Sequence, residues 1–210
     1  ALLLLIVLTQ WKHFIVRHED DAATRHVGFR MPGGAVFLLG FLCLVTFLAE
    51  GSMLDWSAVF LRFSRGFDAS AAGLGYAAFS VAMALGRLMG DRITSSLGPV
   101  TIVRLGSAIA AAGFVIVTTV PWGAAALLGF VLVGLGASNI VPVLFSAAGR
   151  QKGTSPGIAI ATVTSLGYAG MLAGPAAIGF VAHLSSLPIA LFGVAVLLVV
   201  VSFCASIARR

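Results

Sequence analysis

The chain has 210 residues, of which 60% are hydrophobic and only 10% are charged, and its mean hydropathy is +1.08. An ordinary soluble domain has roughly 45–50% apolar and about 25% charged residues, so this composition argues against a soluble enzyme, a nucleic-acid-binding protein and a disordered protein. The formal net charge of +6 does not indicate nucleic-acid binding, because the basic residues lie between apolar segments.

The first apolar segment, residues 1–11, is too short to cross a bilayer. As a helix it would rise about 16 Å, whereas the hydrocarbon core is about 30 Å thick. Since the chain also starts without an initiator methionine, we expect these residues to be the end of a truncated transmembrane helix. We expect residues 12–33 to form a cytoplasmic loop.

Longer apolar segments follow, each close to the roughly 20 residues that a spanning helix needs. They are continuous and do not alternate with a period of two, which predicts helices and not barrel strands. The predicted fold class is therefore an all-α membrane protein. The six predicted spans, which form a bundle over residues 34–208, are residues 34–60, 71–90, 100–120, 123–148, 157–182 and 187–208.

The basic residues predict the orientation of these spans. If the loop at 12–33 is cytoplasmic and the spans alternate, eleven Lys and Arg residues fall on the cytoplasmic side and only Arg62 and Arg65 fall on the other. This asymmetry follows the positive-inside rule. It predicts a multi-pass protein whose C-terminal tail, residues 209–210, is cytoplasmic.

The most informative polar residue is Glu50, in the first full span. It lies roughly 24 Å along that helix, so we expect it in the outer half of the membrane. A carboxylate there is unfavourable unless it faces water, a partner or a proton. It is therefore a candidate substrate or proton site in a cavity, and a structural pair or an outward-reaching side chain is the alternative. Gly51 can break the helix beside it, and Asp55 is a second candidate whose alternative role is a solvated or capping residue.

Residues 86–92 close the second predicted span with a group of small and charged residues. Such a group at a membrane interface can act as a conformational latch, although ordinary topology-setting charge explains the spacing as well. The candidate latch residues are Gly86, Arg87, Gly90, Asp91 and Arg92.

The fourth predicted span contains Asn139 and Pro142 near its middle. Because Pro142 has no N–H, the carbonyl of Ser138 loses its helical partner and the helix should kink. Interrupted helices at this depth are typical of transport sites, and a purely structural kink is the alternative. In the fifth span, Gly174 and Pro175 are a candidate hinge, and Tyr168 can add a hydroxyl to a cavity.

A short repeat links the second and fifth predicted spans. Residues 74–77 and 166–169 share the sequence Leu-Gly-Tyr-Ala. Inverted repeats of three spans each would relate these two helices, but four residues can also recur by chance in a chain rich in Gly and Ala.

No residue pattern indicates metal or cofactor chemistry. Cys43 and Cys204 lie inside apolar segments without a metal-ligand spacing. A membrane-embedded enzyme would need clustered His, Asp or Glu residues, and a channel would need a polar stripe. We therefore expect no enzyme, no metal and no cofactor, and a non-transporting scaffold or sensor stays open as an alternative.

Taken with these features, the sequence resembles the C-terminal six-helix half of a major facilitator superfamily transporter. The block EGSMLDWSAVFL at residues 50–61 is similar to the YbjJ-like branch, near the fucose-permease-like sugar transporters. Residues 86–92 resemble the cytoplasmic loop motif of the superfamily, but residues 93–98 lack its usual basic run.

The resemblance implies a fold of two six-helix halves around a central cavity, each built from 3+3 inverted repeats. Glu50 and Asn139 would lie on helices that line this cavity, and an absent N-terminal half would supply its other wall. The expected function is secondary active transport of a small polar solute, which could be sugar-like, a drug or a metabolite. Alternating access in the bacterial inner membrane would couple it to protons, with the lipid bilayer and no nucleic acid as further partners.

Overall fold

A computed structural model describes residues 32–209, in which helices are joined by short turns. The all-α fold class predicted from the sequence is confirmed for this part of the chain. The predicted helix end at residues 1–11 and residues 12–31 of the predicted loop lie outside the described residues, as does Arg210. The helices are α1 (Gly34–Arg65), α2 (Leu74–Leu88), α3 (Gly90–Leu97), α4 (Pro99–Thr119), α5 (Gly123–Ala137), α6 (Ile140–Gly149), α7 (Pro156–Leu184) and α8 (Leu187–Cys204), and a 3₁₀ turn at Ala205–Arg209 follows.

Within residues 32–209, five helical segments are long and apolar enough to cross a membrane. Length and composition are the basis of this assignment. The segments are Gly34–Arg65, Pro99–Thr119, Gly123–Gly149, Pro156–Leu184 and Leu187–Arg209.

The region of the second predicted span is divided between α2 and α3. Helix α2 has 15 residues, about 22 Å, which is shorter than a bilayer core. A one-residue turn at Met89 separates α2 from α3, which runs on to Leu97. Met89 itself keeps its helical bonds, from its N–H to the Leu85 carbonyl and from the Ile93 N–H to its own carbonyl. Gly86 and Gly90 flank this break, and glycine is a poor helix former. The segment therefore needs α3 as well as α2 to reach across a bilayer.

The region of the fourth predicted span is divided in the same way between α5 and α6. The break comprises Ser138 and Asn139, and Asn139 has φ −112° and ψ 0°. Pro142 lies in the first turn of α6, so the carbonyl of Ser138 has no N–H to accept from. The break lies one turn before the proline that causes it.

Helices α1 and α7 pack along a seam in which glycines replace larger side chains. A Cβ added at Gly170 would lie 2.9 Å from the carbonyl carbon of Leu44, and one at Gly167 would lie 2.7 Å from the Phe47 ring. Helices in lipid associate through such close approach of their backbones, because the hydrophobic effect gives no driving force for association there. The seam fixes how α1 lies against α7.

Helices α4 and α5 cross through a reciprocal pair of glycines. A Cβ at Gly113 would lie 2.6 Å from the carbonyl oxygen of Gly129, and a Cβ at Gly129 would lie 2.7 Å from the carbonyl oxygen of Gly113. Each glycine therefore makes room for the backbone of the other helix.

The packing pairs follow the symmetry expected of two three-helix repeats. Helix α7 packs on α1, and in the same way α2 packs on α5. In each pair the glycine of the repeated Leu-Gly-Tyr-Ala sequence faces a phenylalanine, since Gly167 meets Phe47 and Gly75 meets Phe130. This equivalence supports a 3+3 relation between α1–α2–α4 and α5/α6–α7–α8.

Arg65 at the end of α1 ties this helix to the end of α4. Its Nη2 donates a hydrogen bond of 2.6 Å to the carbonyl oxygen of Val117, and its guanidinium lies 4.7 Å from the centre of the Phe60 ring. A cation at a helix C-terminus stabilises the carbonyls that have no helical partner. The pattern of basic residues did not reveal this contact.

We expect Gly170→Ala to destabilise the bundle, because the added methyl group would meet the backbone of Leu44. Unlike a flexible side chain, this backbone cannot move away. The expected loss is about 1–3 kcal/mol, as for other overpacked sites. The control is Gly193→Ala in α8, where a Cβ meets nothing within 4 Å. That change should be neutral or slightly stabilising, since alanine favours a helix. Thermal unfolding in detergent compares the two, and equal midpoints would contradict the packing of this seam.

Candidate functional site

Glu50 lies against Arg87 in a cavity between α1, α2 and α7. The Nη2 atom of Arg87 is 3.4 Å from the Oε2 atom of Glu50, which makes an ion pair. The Glu50 side chain is only 11% exposed, whereas that of Arg87 is 50% exposed. The carboxylate is therefore more deeply buried than the guanidinium, and both residues line the cavity.

The cavity has a volume of about 330 Å³ and a mixed lining. Two hydroxyl groups, those of Tyr76 and Ser80, lie on α2 with Arg87, at helical spacings that put all three on one side. The remaining lining is apolar: Leu54, Phe79, Met83, Ala84 and Met171. A volume near 300 Å³ and a few polar groups in an apolar wall are typical of small-molecule sites.

The ion pair does not satisfy either of its members. The Oε1 atom of Glu50 is buried and has no hydrogen-bond partner among the described residues. The contact to Oε2 is longer than the usual 2.7–2.9 Å of a charge-assisted hydrogen bond. Glu50 therefore retains capacity to bind a proton or a donor, and Arg87 retains donors for a solute or water.

The positions of Glu50 and Arg87 along their helices differ from those that the sequence predicted. We expected Glu50 in the outer half of the membrane and Arg87 at the cytoplasmic end of its span, yet the contact puts both at one level. Helix α1 has 32 residues, about 48 Å, so Glu50 lies at its middle. Arg87 is followed by α3, so it does not end the helical segment.

Asn139 does not line the Glu50 cavity. Its Nδ2 atom donates a hydrogen bond of 2.9 Å to the carbonyl oxygen of Gly86, and its side chain packs on Gly90. The amide therefore joins the break between α5 and α6 to the break between α2 and α3. Because Arg87 follows Gly86 in the chain, Asn139 and Glu50 are connected through α2 and do not face each other across one cavity.

The remaining candidate latch residues lie apart from Arg87. Asp91 lines a second cavity of about 230 Å³ together with Asn139, Pro142 and Arg150. Arg92 is exposed and belongs to the lining of neither cavity. The five residues therefore occupy four surroundings: the helix contact at Gly86 and Gly90, the ion pair at Arg87, the second cavity at Asp91, and the exposed surface at Arg92.

Two further candidates lie outside the lining of the Glu50 cavity. Asp55 is exposed on α1. Tyr168 is half exposed, and its ring stacks on that of Phe47 with centroids 5.5 Å apart. Tyr76, the equivalent tyrosine of the short repeat, is the one that lines the cavity.

The candidate hinges at Gly51 and at Gly174-Pro175 lie in unbroken helix. Helix α1 is continuous through Gly51 and α7 through Pro175. Pro175 still has an effect, because without its N–H the carbonyl of Met171 has no donor four residues later. A Cβ at Gly51 would lie 3.5 Å from the carbonyl oxygen of Met171. The Met171 carbonyl therefore lies close to α1, next to Glu50.

Of the cavity lining, sequence reasoning identified Glu50 and Arg87 and missed the rest, including the hydroxyl residues Tyr76 and Ser80 on α2 and Met171 on α7. The spacing of Tyr76, Ser80 and Arg87 along one helix was an available signal for the first two. Met171 had no such signal, since its position depends on how α7 packs on α1. Among residues 32–209, no group of three or more His, Cys, Asp or Glu side chains is arranged to hold a metal ion.

We expect Asn139→Ala and Gly90→Ala to interact. Gly90→Ala alone should destabilise the protein, because its Cβ would lie 3.0 Å from the Cγ atom of Asn139 and closer to Oδ1. Asn139→Ala alone removes the hydrogen bond to Gly86, typically worth about 0.6 kcal/mol between membrane helices. In the double variant the shortened side chain leaves room for the methyl group. The double variant should therefore be more stable than the sum of the single changes, by about 1 kcal/mol, in thermal unfolding. Strict additivity would contradict the contact.

Comparison with known proteins gives matches among curated sequences. The chain is 54% identical over 182 residues to an uncharacterised MFS-type transporter of Yersinia pestis, a match that covers 87% of this chain and 47% of the relative. It is 34% identical over 204 residues to an uncharacterised transporter of Sinorhizobium fredii, covering 97% of this chain and 53% of that protein. It is also 33% identical over 172 residues to the membrane protein MosC of Rhizobium meliloti, covering 82% of this chain and 42% of MosC.

The chain thus spans about half the length of the curated relatives that it matches. No protein-family profile matches the sequence. No solved structure matches it either. The relatives carry transporter or membrane-protein names and no enzyme name, and the YbjJ-like branch stays a prediction.

Proposed function

We propose that this chain, which belongs to the major facilitator superfamily of membrane transporters, supplies one wall of the solute path in a proton-coupled secondary active transporter. The chain is a multi-pass membrane protein with several apolar helices. The solute would be small and polar, because the Glu50 cavity is about 330 Å³ and combines charges and hydroxyls with apolar walls.

The observation that carries this proposal is the ion pair at 3.4 Å in that cavity. Charged side chains within membrane helices are rare, and they mark substrate paths and proton relays. A purely structural pair would be expected to satisfy its hydrogen-bonding groups, yet Oε1 of Glu50 has no partner among the described residues. The unsatisfied oxygen supports a role in exchange of a ligand or a proton.

Glu50 would be the proton-binding group. When its carboxylate takes up a proton, its attraction to Arg87 falls, and the contact between α1 and α2 loosens. When the proton leaves, the pair forms again. The helices that carry the pair therefore respond to protonation, as a coupled transporter requires.

The two helix breaks would supply the movement. They meet at the hydrogen bond from Asn139 to the Gly86 carbonyl, next to Arg87. Breaks in membrane helices are positions at which two helix segments can change their relative angle. We propose that Gly86, Gly90 and Asn139 act as the hinge contact, and that Asp91 and Arg92 belong to a latch at the cytoplasmic side.

The opposite wall of the path would come from an N-terminal six-helix half. The match to about half the length of each relative supports this proposal. In the complete transporter we expect the bacterial inner membrane as the location and a cytoplasmic C-terminus, in agreement with the positive-inside bias.

We expect Glu50→Gln in the complete transporter to abolish uphill accumulation while it retains exchange of solute between the two sides. The amide cannot release a proton, so movement of solute is no longer tied to the proton gradient. Proteoliposomes with an imposed proton gradient and a panel of radiolabelled sugars, sugar acids and small metabolites measure both activities. The control is Asp68→Asn, the same chemical change at an exposed turn residue, which should accumulate solute as the parent does.

Unchanged accumulation by Glu50→Gln would remove Glu50 from the coupling mechanism. Loss of exchange together with accumulation would make Glu50 a solute-binding or structural residue only. Absence of transport of every solute in the panel by the parent protein would count against the proposed function.

A further inference from the structure

We infer that Arg87 is the specificity-determining residue of the Glu50 cavity and selects small solutes that carry a carboxylate. This inference rests on the proposed function, since it names the class of solute that the proton-coupled site takes. Its basis is the hydrogen-bonding capacity of Arg87, which the cavity does not use.

Arg87 has more donors than its surroundings have acceptors. A guanidinium presents five N–H groups, and the described residues give Arg87 one partner, Oε2 of Glu50, through a single long contact of 3.4 Å. The walls beside it are built from Leu54, Phe79 and Met83, which offer no strong acceptor. Half of the Arg87 side chain is exposed and Arg87 lines the cavity, so its remaining donors are accessible to a bound molecule.

A carboxylate matches these donors better than a neutral hydroxyl does. Its two oxygens can accept two parallel N–H bonds from one guanidinium, which gives both strength and a defined orientation. A neutral polyol can form single bonds to Arg87 but cannot balance its charge. The hydroxyls of Tyr76 and Ser80, on the same side of α2, are then available for the polar groups on the rest of the solute.

Charge balance favours the same class of solute. Within the described residues, Glu50 is the only acid paired with Arg87. Once Glu50 is protonated, the guanidinium has no counter-charge in the cavity, and an isolated charge among apolar helices is strongly unfavourable. An anionic solute restores neutrality, so one proton and one carboxylate occupy the site together.

Two matched pairs of probes test this inference on the complete transporter purified in detergent. D-glucuronate is compared with D-glucose, and lactate with propylene glycol; in each pair a carboxylate replaces a CH₂OH group. We expect at least one of the two acids, and neither neutral partner, to raise the thermal unfolding midpoint. The shift should be larger at mildly acidic pH, where Glu50 releases Arg87.

Variants assign the effect to Arg87. Arg87→Gln should weaken binding of the acid by about tenfold or more, as expected for loss of charged hydrogen bonds. Arg87→Lys, which keeps the charge but not the paired donors, should weaken it less. Arg62→Gln, the same change at an exposed residue, should bind as the parent does. Elution as a single species in gel filtration shows that each variant is folded.

Glu50→Gln separates this inference from the proposed function. The amide resembles the protonated acid, so this variant should bind the acid at all pH values although it cannot accumulate solute. Equal binding of an acid and its neutral partner, binding that Arg87→Gln leaves intact, or no binding of either acid would overturn the inference about Arg87. Those outcomes would not affect the coupling role of Glu50. Conversely, uphill accumulation by Glu50→Gln would overturn the coupling role, while binding of the carboxylate to Arg87 would still be detected.

Discussion

A charge pair persists among apolar helices only where the protein replaces the solvation that lipid cannot supply. Glu50 and Arg87 meet this condition only in part, because the nearly buried carboxylate has one contact of 3.4 Å to the guanidinium and its Oε1 atom has no partner among the described residues. Loss of one partner from such a pair typically costs about 3–5 kcal/mol, since the other charge is left uncompensated. Under the proposed function, the contact would hold α1 to α2 while both groups are charged and would weaken when Glu50 is protonated. Its strength and its sensitivity to protonation have the same physical origin.

Glycine packing and proline breaks position this pair, and they act differently on neighbouring helices. Pro142 follows an interruption of the helix, and there Ser138 bonds the Leu135 carbonyl while Asn139 bonds that of Gly86, so side chains support the irregular backbone. Pro175 lies in a helix that continues past it, because α7 is packed along the glycine seam against α1. The same residue type thus produces a break on one helix and only a freed carbonyl on the other. The surroundings, and not the proline alone, decide which of the two occurs.

The sequence was sufficient for the helical fold class, because long apolar segments are local features. A carboxylate within one of them is also a local feature, and it made Glu50 a candidate whose role stays a prediction. The sequence was also sufficient for the interruption near Pro142, which follows from a missing N–H. It was not sufficient for the partner of Glu50. Arg87 is 37 positions away from Glu50 in the chain. Depths estimated from the predicted span boundaries placed the two residues at different levels, because those boundaries did not include the full length of α1 or the continuation of α2 by α3. Tyr76 and Ser80 were missed for a related reason: their helical spacing with Arg87 becomes meaningful only when the facing helix is known.

The unequal burial of the two charges has a consequence for the order of events in the cavity. Glu50 is nearly enclosed and Arg87 is half exposed, so in the proposed mechanism a solute would reach the guanidinium before the carboxylate. A solute anion that binds Arg87 draws it from Glu50 and leaves a carboxylate without its counter-charge, which favours uptake of a proton. A proton that arrives first has the converse effect, because it frees Arg87 for the anion. By thermodynamic linkage each ligand favours the other by the same factor. In the proposed mechanism, one arginine between a buried acid and a cavity would therefore couple the two ligands without a separate relay of acidic residues.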